Sequence, residues 1–185
     1  LWYFGVFAPD DPLVESTMQA VHERLWVKTK VGGLARYEGD AYHQVERKDI
    51  QSVPGNPWFI CTLWWAEYLI ARAKTSDDLK EALRLLEWVR AHALPSGALA
   101  EQVNPHTGEP LSVSPLTWSH GAFVLAALEY LSQTRLTLSR AGTALGHEEQ
   151  VLERVGSLSA QEPFGGKSKL TMAKKALSRK IGETK

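Results

Sequence analysis

Two segments of this chain are apolar on nearly every side of a helix, and this feature limits the folds open to it. The first covers residues 58–72, and the second runs from residue 117 to about residue 133. A helix that lacks a polar face is normally buried on most sides or lies in a membrane. Neither segment has the uninterrupted apolar run of about 20 residues that a membrane span needs. We therefore expect two buried helices in a protein that does not enter a membrane.

Two amphipathic segments alternate with the buried ones. They cover residues 13–26 and residues 76 or 77 to about 93. Asp11, followed by Pro12, is predicted to cap the first amphipathic helix, and Asn56, followed by Pro57, is predicted to cap the first buried helix. Strand signals are weak throughout. The order amphipathic, buried, amphipathic, buried indicates an all-α protein whose helices are layered in pairs.

The lengths of the connections predict where a site would lie. The link at residues 73–76 is short and predicts an antiparallel hairpin, whereas the links at 28–55 and 94–116 are unusually long for a compact domain. If the helices alternate up and down, both long loops emerge at the N-terminal ends of the buried helices. Arg36 of the first loop and Glu101 of the second are then brought to one rim.

Composition removes several classes of function. The formal net charge is +0, which gives no electrostatic footprint for nucleic acid or an anionic membrane surface. The single cysteine, Cys61, excludes an internal disulfide, and the 6 His residues show no zinc-binding spacing. Phosphate-cradling, calcium-binding and nucleophile-elbow motifs are also missing from the sequence. The sequence therefore predicts no metal site.

Three motifs in and beside the long loops carry a family resemblance. They are Gly33-Leu-Ala-Arg-Tyr-Glu-Gly-Asp-Ala-Tyr42, Gly55-Asn-Pro-Trp58, and Ser96-Gly-Ala-Leu-Ala-Glu-Gln102 followed by Leu116-Thr-Trp-Ser119. Together they resemble the glucoamylase-type glycoside hydrolases of family 15, over residues 1–133. The resemblance implies part of an (α/α)6 toroid, with outer amphipathic helices alternating with inner apolar ones. It also implies that the chain corresponds to the C-terminal portion of a family 15 catalytic domain.

The resemblance gives Glu101 the role of general base. Inverting glycoside hydrolysis needs two carboxyl groups, an acid for the leaving oxygen and a base for the attacking water, roughly 6.5–9.5 Å apart. The family's acid motif lies well before the Arg-Tyr motif, and nothing upstream of Gly33 resembles it. We therefore expect this chain to supply the base and to be inactive by itself.

The resemblance also assigns a substrate site. Arg36 is similar to the family's sugar-clamping arginine, with Asp40 orienting it, although the two could instead form a purely structural pair. Trp58 could line the sugar site or belong to the core, and we assign Trp64 and Trp65 to the core. The remaining expected members of the substrate site are Tyr37, Gln102, Trp118 and His120. His120 stands where the family often has an aromatic residue, a departure that could alter the pH response.

The implied function is that of a glucoamylase-like hydrolase that releases glucose from α-linked glucans or oligosaccharides. Trehalase or glucodextranase-like specificity in the same family is an alternative, and so is a non-catalytic regulatory module like those of phosphorylase kinase subunits. No cofactor is implied, and the expected partners are an α-glucoside and the upstream part of the same catalytic domain. The cellular location stays open, with a slight preference for the cytoplasm.

The chain is expected to divide near residue 142. Residues 1–142 form the portion that belongs to the catalytic domain. Residues 143–185 are predicted to contain one further helix and a basic, weakly packed tail, since large apolar residues become rare there.

Overall fold

The structure, a computed structural model, describes residues 2–140 and contains four helices in that part of the chain. They are α1 (Pro12–Leu25), α2 (Phe59–Arg72), α3 (Lys80–Ala91) and α4 (Thr117–Arg140). The strands β1 (Gln102–Val103) and β2 (Pro110–Leu111) pair antiparallel within the second long loop. The all-α prediction is confirmed. The predicted tail at residues 143–185 lies outside the described residues.

The predicted cap of α1 is confirmed, but that of α2 is wrong. Asp11 Oδ1 accepts a hydrogen bond from the Leu13 amide at 2.8 Å, as an N-cap should. In contrast, α2 begins only at Phe59, after the extended residue Trp58. Residues 57 and 58 form backbone bridges to both long loops and so cannot take helical angles. Asn56 therefore lies outside the helix.

The core lies where α2 packs against α3 and α4. Ala122 and Ala126 of α4 are buried and small, which allows α4 to approach the large side chains of α2 closely. Their partners in this cluster are apolar residues of α2, α3 and the second long loop: Phe59, Ile60, Leu63, Leu86, Val89, Leu99 and Val103. The buried helix α2 is thus enclosed by its neighbours on most sides. This packing fixes its N-terminal end, where the two loops meet.

The helix α4 is less buried than its sequence predicts. One of its faces exposes large apolar side chains, and Trp64 of α2, which we assigned to the core, is exposed beside them. The exposed α4 residues are Trp118, Val124, Leu125, Leu128 and Leu136. We call Trp64 and these five residues the open face. No other element in the described part of the chain covers the open face. No described helix is long and apolar enough to cross a membrane.

Candidate active site

The two long loops meet on either side of residues 57 and 58. Pro57 forms a backbone bridge to Ala35 in the first loop, and Trp58 forms one to Gln102 in the second. The Trp58 amide donates to the Leu34 carbonyl at 2.9 Å, and the Phe59 amide donates to the Glu101 carbonyl at 3.3 Å. The prediction that both loops come together at the N-terminal end of a buried helix is confirmed.

Gly33 permits the first loop to pack closely against Pro57 and Trp88. Its φ is +87°, a left-handed value that other residues rarely adopt. A Cβ atom at this position would lie 2.8 Å from Pro57 Cβ and 2.8 Å from Trp88 Cζ2. Any side chain at this position would therefore force the first loop, Pro57 or Trp88 to shift.

Arg36 and Asp40 form a two-point ion pair. Arg36 Nε donates to Asp40 Oδ2 at 3.0 Å, and Arg36 Nη2 donates to Asp40 Oδ1 at 3.0 Å. Asp40 is only 1 % exposed and accepts a further hydrogen bond from the Tyr42 amide at 3.1 Å. Burial opposes ionisation of Asp40, but the hydrogen bonds from Arg36 and Tyr42 outweigh it, so its pKa lies below the ordinary value. Asp40 is thus held as a carboxylate.

Aromatic rings surround the Arg36 guanidinium. Its central carbon lies 4.3 Å from the centroid of the Trp58 ring, 5.0 Å from that of Tyr37 and 5.6 Å from that of Tyr42. These are cation–π distances. Trp58 is buried at 4 % exposure, whereas Tyr37 is 50 % exposed and Tyr42 is 44 % exposed. The guanidinium is therefore fixed in orientation, with two aromatic side chains still accessible beside it.

Tyr42 was missed as a site member by the sequence reasoning. It ends the Gly33–Tyr42 motif, so a signal for it was present. Its amide binds Asp40, and its ring packs against Trp58 with 6.1 Å between the centroids.

Glu101 lies half-buried at the start of the β1–β2 hairpin. Its carboxylate accepts a hydrogen bond from the Ser112 hydroxyl, and its amide donates to the Val113 carbonyl at 2.9 Å. Ser112 has a φ of 65°, a left-handed value that residues other than glycine rarely adopt. Sequence reasoning missed Ser112, because nothing local pairs two residues that lie 11 positions apart.

Gln102 and Trp58 bring unpaired donors to the same place. Gln102 is 0 % exposed, and its Oε1 accepts from Asn56 Nδ2 at 2.8 Å. Among the described residues, Gln102 Nε2 and Trp58 Nε1 have no hydrogen-bond partner. Buried donors are normally satisfied, so these two N–H groups are exceptions that the described residues do not explain.

The first turn of α4 binds the loop that carries Glu101. Ser119 Oγ donates to the Ala100 carbonyl at 2.8 Å, and His120 Nε2 accepts from the Leu99 amide at 2.9 Å. Trp118 points elsewhere, to Trp64 on the open face, with 5.7 Å between the ring centroids. Six of the predicted site residues thus lie around one backbone junction: Arg36, Tyr37, Asp40, Trp58, Glu101 and Gln102. His120 is linked to this junction through Leu99, whereas Trp118 lies beside Trp64.

The described residues contain no group of three or more His, Cys, Asp or Glu side chains that could hold a metal ion. The groups brought together at the junction are a half-buried carboxylate, a fixed guanidinium and accessible aromatic faces. These are groups that suit the binding of a sugar and the activation of water.

Comparison with known proteins identifies glycoside hydrolases as relatives of this chain. Residues 80–128 match the sequence model of the glycosyl hydrolases family 15. An uncharacterized glycosyl hydrolase of Methanocaldococcus jannaschii is 32 % identical over 135 residues, which cover 68 % of this chain and 20 % of that protein. An isomaltose glucohydrolase of Kribbella flavida is 30 % identical over 137 residues, which cover 68 % of this chain and 31 % of that enzyme.

Solved structures show the same relationship. A bacterial glucoamylase in complex with acarbose superposes with a TM-score of 0.58 at 28 % identity, over 70 % of this chain and 19 % of the glucoamylase. A second glycosidase gives a TM-score of 0.54 at 28 % identity, over 69 % of this chain and 33 % of that protein. The chain therefore spans between about a fifth and a third of the length of these relatives, and its helices are part of an (α/α)6 toroid. The fold, the motifs and the relatives lead to one conclusion: the chain belongs to the glycosyl hydrolases family 15.

Proposed function

We propose that this chain is the part of an inverting glycoside hydrolase that supplies the general base, and that the enzyme releases glucose from α-linked glucans or oligosaccharides. The observation that carries the proposal is the backbone junction at Trp58, which holds the Arg36–Asp40 pair on one side and Glu101 on the other. Family membership supports the reaction class, since all four relatives described above are named as glycosidases or glycosyl hydrolases.

The reaction assigns one proton transfer to Glu101. A water oxygen attacks the anomeric carbon and gives a proton to the Glu101 carboxylate, while the glycosidic C–O bond breaks and the leaving oxygen receives a proton from an acid. The Ser112 hydroxyl donates to the Glu101 carboxylate and restricts its orientation. Arg36 contributes by donating hydrogen bonds to sugar hydroxyls, because its fork of donors can meet two of them in one plane.

The acid is proposed to come from a segment outside this chain. Asp40 is unsuited to the role, because its ion pair with Arg36 lowers its pKa and keeps it ionised. Glu38 is bound by Arg24 at 2.5 Å on the surface. The two carboxylates nearest to Arg36 in sequence thus already have partners of opposite charge.

One of the relatives bears on the glycosidic linkage that the enzyme cleaves. The Kribbella flavida relative is named for isomaltose, which supports α-1,6-linked glucose as a substrate alongside α-1,4-linked glucans. Trehalase or glucodextranase-like specificity is the alternative within the family, and a panel of maltose, isomaltose, trehalose and starch distinguishes these activities. A non-catalytic regulatory module is the alternative from another class. It is disfavoured because the Glu101–Ser112 and Arg36–Asp40 interactions are both intact.

The proposal is tested by Glu101→Gln in the complete protein that carries this chain. Gln keeps the volume but does not accept a proton from water, so kcat should fall by roughly 10²–10⁴. KM should move little, because Arg36 and the aromatic residues still bind the sugar. Glu109→Gln is the matched control, since Glu109 is exposed in the same loop and should leave kcat unchanged.

Azide provides a direct test of the geometry. With Glu101→Ala and α-glucosyl fluoride, azide can occupy the water position, and inversion then yields the β-glucosyl azide. A folded Glu101→Gln enzyme that keeps most of its kcat would place the base elsewhere. A wild-type protein without activity on the whole substrate panel would favour the regulatory module.

A further inference from the structure

The His120 side chain forms a hydrogen bond with the backbone of the loop that carries Glu101. The Leu99 amide donates to His120 Nε2 at 2.9 Å, and the Leu116 amide donates to the Leu99 carbonyl at 2.9 Å. Both polar backbone groups of Leu99 are therefore bound by the N-terminal end of α4. Leu99 lies only two positions before Glu101, so these two hydrogen bonds restrict the position of the Glu101 backbone.

The neighbouring peptide groups are held in the same way. The Ala100 carbonyl accepts from Ser119 Oγ at 2.8 Å, and the Glu101 amide donates to the Val113 carbonyl at 2.9 Å. At the Leu99 amide, however, the partner is a ring nitrogen rather than a backbone atom or a hydroxyl. An imidazole nitrogen accepts a hydrogen bond only when it carries no proton, so Nε2 is an unprotonated acceptor in this bond.

We propose that His120 is a positioning residue for the Glu101 carboxylate and acts through the Leu99 amide, rather than a sugar ligand. Nε2 is already used by the backbone, and the bond reaches across 21 residues from α4 to the loop. The proposal rests on the proposed function, because it requires Glu101 to be the general base. A base must stand at a defined distance from the acid and the water, so drift of residues 99–101 would lower the rate.

Substitutions at His120 test whether the acceptor atom is what matters. In His120→Phe the ring is kept but the acceptor is lost, and kcat should fall about tenfold or more with little change in KM. In His120→Gln the side-chain oxygen can reach the former position of Nε2, so this variant should recover most of kcat. His120→Asn carries the same amide one bond shorter and should behave like Phe. Asn also serves as the deletion of the acceptor should the Phe variant fail to fold.

Amide exchange measures the bond itself. The Leu99 amide should exchange with deuterium faster in His120→Phe and His120→Asn than in the wild type, and as slowly as in the wild type in His120→Gln. If all variants fold and exchange at Leu99 is unchanged by the loss of the acceptor, the bond does not hold the loop and the proposal is overturned.

A double variant separates this proposal from the proposed function. The probe is α-glucosyl fluoride, whose good leaving group keeps slow variants measurable. If His120 acts through the base, His120→Phe should lower kcat far less in a Glu101→Gln background than in the wild type, because the effects are not additive. Full additivity, unchanged kcat in His120→Phe, or an equal loss in Gln and Phe would each overturn the positioning role. An active Glu101→Gln single variant would instead overturn the assignment of the base.

Discussion

At the scale of single residues, the site depends on how Arg36 is held. Asp40 binds it at two points from a buried position, and the Trp58 ring lies against the face of the guanidinium. A structural pair and a sugar clamp are compatible here, because a guanidinium has five N–H groups and the Asp40 carboxylate uses only two of its nitrogens. The remaining donors are available to a ligand, in line with the 39 % exposure of the Arg36 side chain.

Arg36→Ala should lower kcat/KM by about 30- to 150-fold, equivalent to about 2–3 kcal/mol, since donors to the sugar are lost and Asp40 is left buried without its partner. Arg36→Lys should recover little, because one ammonium group does not reproduce the fork. Steady-state kinetics with maltose and isomaltose measures both effects.

The matched control is Arg24→Ala. Arg24 of α1 pairs with Glu38, which lies in the same loop as Arg36. The two side chains are 67 % and 44 % exposed, and exposed ion pairs contribute little to stability. A folded Arg36→Ala variant with kinetics as close to wild type as those of Arg24→Ala would show that Arg36 is structural.

At the scale of elements, the contact between α2 and α4 contains a buried carboxyl group. Glu67 of α2 is 1 % exposed, and neither of its oxygens has a hydrogen-bond partner among the described residues. Burial, with a smaller contribution from Glu129 of α4, raises the pKa of Glu67 from 4.5 to about 7. The folded protein therefore keeps the Glu67 proton up to a higher pH than the unfolded chain does.

Glu67→Gln should make the pH dependence of stability flatter. Between pH 4.5 and about 7 the folded state binds more protons at Glu67 than the unfolded state, so the free energy of unfolding falls as pH rises through this window. Above the window, Gln avoids the cost of ionisation and should stabilise the protein by up to about 3 kcal/mol relative to Glu. Below it, the two proteins should have similar stability.

Urea unfolding at pH 4.5 and pH 8 measures this difference, with Glu87→Gln as the control. Glu87 is exposed on α3 and should give the same small change at both pH values. If Glu67→Gln destabilises the protein equally at both, the carboxylate has a favourable partner in the folded state and the interpretation is wrong.

At the scale of the whole molecule, the described helices leave one side uncovered. The open face brings Trp64 and Trp118 together and continues along α4 through Val124 and Leu128. A contiguous apolar surface of this kind is typical of a contact site. In an (α/α)6 toroid the remaining helices of the ring would cover it, and this is the partner that the sequence predicts.

The 185-residue chain, expressed alone, should therefore associate and release no glucose. It offers the proposed base without an acid, and its open face favours contact between copies. Light scattering after gel filtration measures the association, and glucose assays with maltose, isomaltose, trehalose and starch measure the activity. Glucose release above that of a mock preparation from the same host would contradict the prediction.

Much of the fold could be predicted from the sequence because helix periodicity is local. The four helices, the Asp11 cap and the meeting of two long loops all follow from residues within a few turns of one another or from connection lengths. The motifs that contain Arg36, Trp58 and Glu101 identified the family for the same reason, since each motif is continuous in the chain.

The tertiary structure alone decided which side chains hold those residues and which helix faces are covered. Asn56 has the sequence features of a helix cap but instead binds Gln102, 46 positions away. Backbone bridges keep residues 57 and 58 extended, so α2 begins only after them. Likewise, Ser112 reaches Glu101 and His120 reaches the Leu99 amide only after the second loop has closed on α4. Such contacts depend on loop closure and on packing against distant helices. A hydrogen bond of this kind leaves no periodic pattern in the sequence, whereas the helices that bring its ends together do.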